Sequence, residues 1–320
     1  MVKRSDVRLG SRGSPLALWQ AHHVRSRLET AHPSLTIHIQ ILHTTGDRIT
    51  DVPLARIGDR GLFTKELDQA ILDGHIDLAV HSLKDVPTRL PDGLTLVAVM
   101  EREDPRDALL TGGGHASTLA DLPAGATVGT SSLRRRAQLL HFRPDLVVHD
   151  LRGNLDTRLA RLAEGRVDAI ILALAGVRRL GHEERVSELL DPPDWLSAVG
   201  QGAIAIVART GDTATAGLVA PLDHPATHAT TAAERAFLRA LEGGCQVPIG
   251  AIAHIAGDDV ALDGFVASLD GTEYIRSSAR GPAGLPEAVG QALAEELKQR
   301  GADDILKRVR ASGAPERPAP

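Results

Sequence analysis

The sequence predicts an α/β protein of two similar lobes followed by a smaller α+β domain with a three-stranded antiparallel sheet. Short strand-like runs alternate with amphipathic helical stretches up to about residue 200, the pattern of α/β layers. The stretch Gly74-His75-Ile76-Asp77-Leu78-Ala79-Val80 is echoed by Gly165-Arg166-Val167-Asp168-Ala169-Ile170-Ile171. In both, a helix stops at a glycine and a strand follows an aspartate. After Pro221 the texture changes, and three alternating apolar runs stand between helices, as in a sheet covered on one face.

The elements follow in chain order. Val7-Arg8-Leu9 opens the first strand, and Ser14 and Pro15 suit the N-cap and first position of a helix. Residues 35–42 read as a strand, 63–73 as a helix and 76–81 as a strand. A short strand at 127–129, a helix at 133–141 and a strand at 146–149 begin the second lobe. A helix at 155–164 and a buried strand at 169–174 continue it. The charged segment Glu101-Arg102-Glu103-Asp104-Pro105 and the turn Asp191-Pro192-Pro193-Asp194 mark the lobe boundaries. A helix at 227–241, strands at 249–255, 260–269 and 274–280, and helices at 285–300 and 302–310 complete the chain. The Pro-rich tail 311–320 is expected to be disordered.

Composition narrows the function classes. At 320 residues, with 42% hydrophobic and 24% charged side chains, the chain is long enough for two or three domains with real cores. No signal-peptide core and no membrane-length apolar run is evident. One cysteine fits a reducing cytoplasm. A net charge of −5 and an aromatic content of 2% argue against a nucleic-acid binder. The 14 histidines show no metal-ligand spacing, so no metal is expected.

Arginines gather at three expected helix starts, each just after a strand. These are Arg12 beside Ser14, Arg134-Arg135-Arg136 after Ser132, and Arg152 and Arg158 around Asn154. Cations there oppose the helix dipole by about 0.3–1 kcal/mol each. An anionic ligand reverses that sign, because free N–H groups and guanidiniums then converge on it. Solvated arginines are the bland alternative at any single site; three sites of one design favour an anion-binding cleft. Carboxylate and phosphate both suit it, although no phosphate-binding glycine motif is present. Lys84-Asp85 stands at the exit of the strand at 76–81, either as a structural ion pair or as acid/base machinery. Cys245, in Glu242-Gly243-Gly244-Cys245-Gln246-Val247-Pro248, is the single thiol. A lone cysteine is more often inert packing, but one on a glycine-rich turn is a candidate for covalent chemistry.

Seven segments together resemble the porphobilinogen deaminase (hydroxymethylbilane synthase) family. They are Arg12-Gly13-Ser14-Pro15-Leu16-Ala17, Gly61-Leu62-Phe63, His81-Ser82-Leu83-Lys84-Asp85-Val86-Pro87, Gly129-Thr130-Ser131-Ser132-Leu133-Arg134-Arg135, Leu151-Arg152-Gly153-Asn154, Val199-Gly200-Gln201-Gly202 and Leu241-Glu242-Gly243-Gly244-Cys245-Gln246-Val247-Pro248. The resemblance runs from Arg8 to about Val309. It implies two lobes like those of type II periplasmic binding proteins, with hinge motion between them, and a C-terminal cofactor-anchoring domain. The lobes would comprise residues 1–101 with 202–220, and 105–196; the C-terminal domain, 222–310.

The implied activity joins four porphobilinogen molecules head to tail with release of ammonia, then hydrolyses off hydroxymethylbilane. The implied cofactor is dipyrromethane, held by a thioether to Cys245. Asp85 matches the family's catalytic aspartate. Lys84, Ser132, Arg134, Arg135, Arg152 and Arg158 match cofactor-binding positions. Arg12, Ser14, Phe63, Arg179 and Gln201 match substrate-binding ones. A cytoplasmic monomer without membrane or nucleic-acid partners is implied. One departure is that Arg56 and Arg60 stand in the 47–63 loop where the family often has lysine, exchanging a point charge for a planar fork.

Two other readings use the same features less completely. A two-lobed receptor for a small carboxylate explains the arginines but leaves Cys245 and Asp85 idle. A phosphate- or nucleotide-using transferase lacks a glycine-rich phosphate loop and a metal site.

Overall fold

The computed structural model describes residues 5–48, 61–113, 117–241 and 247–313. In the first α/β unit, β1 (Asp6–Arg12) leads into α1 (Pro15–Ala31) and β2 (Thr36–Leu42). The single turn α2 (Thr45–Arg48), helix α3 (Lys65–Leu72), β3 (Leu78–Ser82) and β4 (Leu94–Val99) follow. The second unit contains β5 (Asp107–Thr111), β6 (Thr127–Gly129), α4 (Leu133–Phe142) and β7 (Val147–His149). It continues through α5 (Leu155–Ala163), β8 (Ala169–Ala173), α6 (Leu174–Arg179) and β9 (Glu188–Leu190). The chain then returns to the first sheet as β10 (Ile204–Arg209), followed by α7 (Thr213–Val219).

The two sheets share one design. Their strand orders are β2-β1-β3-β10-β4 and β7-β6-β8-β5-β9. In each, the first three strands run parallel, and an antiparallel strand is inserted fourth. That inserted strand, β10 or β5, is the one that follows a crossing between the units, at 191–203 or 100–106. Burial of alternating faces places Leu9, Leu28, Leu78, Val80 and Ile206 in one core of the first unit. Leu110, Leu159, Ile170 and Leu172 lie in a core of the second.

The sequence echo has a mechanical cause. Asp77 accepts a hydrogen bond from the Arg8 backbone N–H (2.8 Å), and Asp168 accepts one from the Thr127 backbone N–H (2.7 Å). Each aspartate therefore ties the start of one parallel strand to its neighbour. Gly74 and Gly165 precede them at φ of 74° and 69°, a left-handed turn that glycine adopts without a Cβ penalty.

The C-terminal unit starts with α8 (Pro225–Ala240) and continues as an antiparallel sheet of β11 (Ile249–Ala256), β12 (Asp259–Ala267) and β13 (Tyr274–Pro282). Helices α9 (Pro286–Gln299) and α10 (Ala302–Gly313) close it. The last helix runs on to Gly313, into the segment expected to be disordered. Phe237, Leu262, Leu293, Leu297 and Leu306 form its core. Among the described residues no helix is long and apolar enough to cross a membrane.

Helices α8 and α9 meet at Gly290, where an added Cβ would collide with the Ala233 carbonyl oxygen and lie 2.7 Å from the Phe237 nitrogen. Both are backbone atoms that cannot swing aside. Gly290→Ala is therefore expected to destabilise the protein by about 1–3 kcal/mol. A calorimetric melt should show the midpoint lowered by several degrees; an unchanged midpoint would show that the helices can part freely.

Candidate functional site

Three helix caps stand at the carboxyl ends of parallel strands, where an open sheet presents its ligand-binding crevice. Ser14 accepts a hydrogen bond from Ala17 N–H at 3.4 Å, capping α1 with Pro15 in its first turn. Ser132 accepts one from Arg135 N–H at 3.4 Å, capping α4. Asn154 accepts one from Thr157 N–H at 2.9 Å, capping α5. The caps hold the backbone expected from sequence and fix where the neighbouring arginines begin.

Around Asp85, the chain forms a pocket lined by Arg12, Ser14, Gln20, Phe63, His81 and Ser82, among others. The Arg12 guanidinium lies 4.3 Å from the centroid of the Phe63 ring, a cation–π contact that orients both. Asp85 ends a 3-10 turn, Leu83–Asp85, that leaves β3 directly. Buried Leu83 pins this turn through its N–H to Ala203 O (2.9 Å). From the other side, Arg235 of α8 donates to the carbonyls of Val86 (3.0 Å) and Pro87 (2.7 Å). The C-terminal unit thus braces the turn that carries Asp85.

A second cluster centres on Asp107, the first residue of β5. Its fully buried carboxylate receives Arg134 Nη1 (2.7 Å), Arg135 Nη2 (2.7 Å), Trp195 Nε1 (2.8 Å) and Gln201 Nε2 (2.8 Å). Burial would raise its pKa, but the two guanidiniums outweigh that and hold it far below the ordinary carboxylate range. Gln201 also donates to Pro105 O (2.7 Å) and accepts from Lys84 Nζ (3.4 Å), so it stitches both crossings to the Asp85 turn. Burial depresses Lys84 to about 8, with Asp85 opposing the shift and Arg135 adding to it.

The third group is Arg152 and Arg158. Burial lowers Arg158 to about 10, and Arg135 and Arg152 add like-charge repulsion that Asp150 only partly offsets. Among the described residues no carboxylate lies within ion-pair distance of Arg152 or Arg158. Arg152 Nη1, Arg134 Nε and Arg135 Nε are buried without a hydrogen-bond partner. Such a concentration of unanswered N–H donors calls for an anion. Arg179, at the end of α6, donates to Gly202 O (2.7 Å) and covers the Trp19 ring at 5.4 Å, linking the second unit to α1.

Comparison with known proteins decides the family. The model described as porphobilinogen deaminase, dipyromethane cofactor binding domain, matches residues 7–217, and the porphobilinogen deaminase C-terminal domain matches 228–299. The chain belongs to the porphobilinogen deaminase family. The porphobilinogen deaminase of Moorella thermoacetica is 54% identical over 306 residues, covering 96% of this chain and 97% of that one. The Gloeobacter violaceus porphobilinogen deaminase is 55% identical over 308 residues, covering 95% and 93%. Among solved structures, similarity extends to the aliphatic sulphonate binding protein SsuA of Escherichia coli (17% identical, 74% of this chain and 71% of that chain, TM-score 0.40). The BvgS VFT2 domain of Bordetella pertussis is also similar (16% identical, 68% and 85%, TM-score 0.43). At TM-scores below 0.5 these likenesses support no conclusion about this chain.

Sequence reasoning thus anticipated a porphobilinogen deaminase whose expected site residues fall into three neighbouring groups. Arg12, Ser14, Phe63 and Asp85 share one pocket. Gln201, Arg134 and Arg135 meet at Asp107, Lys84 reaches Gln201, Ser132 caps the arginines' helix, and Arg158 lies close enough to Arg135 and Arg152 to feel their charge. Cys245, Arg56 and Arg60 lie outside the described residues. Asp107 and Trp195 were not anticipated: a lone aspartate after a charged linker reads as surface.

Replacing Asp107 by Asn leaves two buried guanidiniums without their anion, a change worth roughly 3–5 kcal/mol. The folded carboxylate titrates below its unfolded value of about 3.9, so its contribution is complete above that pH and drains as pH falls further. Thermal melts should place Asp107→Asn on the order of 10 °C below the parent at pH 7. The gap should narrow at pH 3; a constant gap, or none, would contradict this account.

Proposed function

We propose that this enzyme polymerises four porphobilinogen molecules head to tail, releasing ammonia at each addition, on a dipyrromethane primer thioether-linked to Cys245, and then hydrolyses off hydroxymethylbilane. The observation that carries the reading is an excess of buried cations, Arg134, Arg135, Arg158 and Lys84, over the one carboxylate of Asp107, next to the turn that carries Asp85. Each pyrrole unit bears an acetate and a propionate, so primer and growing chain are polycarboxylates that match this excess. The unpartnered donors of Arg134, Arg135 and Arg152 fit such a group. Gly250, five residues beyond Cys245, also packs against Arg134: an added Cβ would lie 3.1 Å from its Cδ. When bound, dipyrromethane supplies the electron-rich pyrrole carbon on which growth begins.

The protein's own groups divide the remaining work. Lys84, Ser132, Arg134, Arg135, Arg152 and Arg158 hold the carboxylates of the cofactor. Arg12 and Ser14 hold those of incoming porphobilinogen, with Phe63 steadying Arg12 and with Arg179 and Gln201 at the crossings. Loss of ammonia turns the substrate's aminomethylpyrrole into an electron-poor methylenepyrrolenine. The Asp85 carboxylate accepts pyrrole N–H bonds and stabilises positive charge as it develops, while its braced turn avoids reorganisation at that moment. The same reading divides the chain into lobes 1–101 with 202–220 and 105–196, and a domain 222–310. It takes the enzyme as a cytoplasmic monomer with no nucleic-acid partner, in keeping with its single cysteine and net charge of −5.

Two measurements test these roles. Asp85→Asn should lower turnover of porphobilinogen by about 10²–10⁴-fold with an unchanged melting midpoint; activity within tenfold of the parent would remove Asp85 from catalysis. Lys84 must be charged to hold a carboxylate, and burial lowers it to about 8 before that anion is bound, so kcat/KM should fall on an alkaline limb above about 8. Stability moves oppositely. Between the folded value of about 8 and the unfolded 10.5, the unfolded chain binds more protons, so this residue makes folding more favourable as pH rises. Lys84→Arg should move the alkaline limb upward, and a limb unmoved by that change would exclude Lys84 as its source.

A further inference from the structure

The Asp85 pocket contains a side chain that the roles above leave unused. His81 lies on β3, opposite Ala205 of β10, and lines the pocket with Arg12, Ser14 and Asp85. Only 5% of the residue is exposed, and its Nε2 is sealed from solvent without a hydrogen-bond partner. Buried polar atoms are nearly always partnered, and leaving one unpaired costs about 1–3 kcal/mol. Burial, reinforced by the Arg12 charge, lowers the imidazole to about 4. The ring is therefore neutral near pH 7 and keeps one lone-pair nitrogen as an acceptor.

The substrate's polar inventory explains why an acceptor belongs there. Porphobilinogen has two carboxylates, which require donors, and two nitrogen donors, the pyrrole N–H and the aminomethyl group, an ammonium at neutral pH. Arg12 and Ser14 supply donors, while Gln20 Nε2 is bonded to Ser82 Oγ at 2.8 Å. The charged or basic acceptors on the pocket wall are the Asp85 carboxylate and the imidazole nitrogen of His81, beside the weaker amide oxygen of Gln20 and the hydroxyls of Ser14 and Ser82. We propose that His81 contacts the incoming porphobilinogen directly, its ring turning to bring the buried Nε2 to the pocket and accept a hydrogen bond from one of the substrate's two nitrogen donors while Asp85 takes the other. This assignment rests on porphobilinogen being the substrate. It makes His81 a second determinant of how the aminomethylpyrrole is seated, and it gives the unpaired nitrogen a partner only when the pocket is filled.

The role predicts opposite changes in stability and activity. Leucine keeps much of the bulk and removes the unpaired polar atom, so His81→Leu should melt at or above the parent's midpoint. Losing the contact to a charged or strongly polar donor should raise KM for porphobilinogen about 10- to 100-fold. His81→Gln, which restores an amide oxygen as acceptor, should recover most of that loss. Both variants are to be assayed as primer-loaded enzyme, with loading read from intact mass, alongside melting midpoint, kcat and KM. A leucine variant with parental KM and kcat would overturn the assignment. So would midpoints that fall in step with activity in both variants, the mark of a structural histidine, or a leucine variant without primer mass, which would place His81 in cofactor assembly. A loaded parent enzyme that fails to consume porphobilinogen would refute the functional reading itself, and His81's part with it.

Discussion

The buried carboxylate of Asp107 is the interaction on which the rest of the molecule depends. It stands where the chain enters the second unit and gathers two guanidiniums from α4 with an indole and an amide from the return crossing. Removing that anion would leave Arg134 and Arg135 as uncompensated charges inside the protein, a far larger cost than any surface ion pair can offset. Its presence still leaves the cluster with net positive charge. One carboxylate answers two guanidiniums, Lys84 adjoins them through Gln201, and Arg152 and Arg158 add more. The fold is thereby held together by an incomplete neutralisation, and a polycarboxylate completes it.

Mechanical bracing extends the same logic to Asp85. Its turn is fixed from the first sheet by Leu83 on Ala203 and from the C-terminal unit by Arg235 on the carbonyls of Val86 and Pro87. Helix α8, which carries Arg235, leads toward the segment containing Cys245, and β11 begins shortly after that segment. Arg235, which braces the turn of the proposed catalytic carboxylate, thus lies ten residues before the proposed anchor, Cys245, in the chain. A rigid carboxylate beside a growing anionic chain can serve successive additions only if the chain moves past it.

Much of this was legible in the sequence, for identifiable reasons. The capped helices after β1, β6 and β7 have local signatures, in which a hydroxyl or amide cap and nearby arginines lie within a few residues. The internal echo was legible because Asp77 and Asp168 perform the same strand-tying task. The inserted strands β5 and β10 were harder to see: they are buried on both faces, so they lack alternation, and their partners lie across the crossings. Asp107 was illegible because its partners are 27, 28, 88 and 94 residues away. His81 sits in an apolar strand pattern and reads as core until its nitrogen is found unpaired.

The most direct measurement of the central claim, that an arginine-rich cleft grows its product on a primer fixed to the protein, is the intact mass of freshly expressed, active enzyme followed by peptide mapping. The account predicts an added mass of two linked pyrrole units carried by the peptide containing Cys245. Active enzyme with an unmodified Cys245 would contradict it.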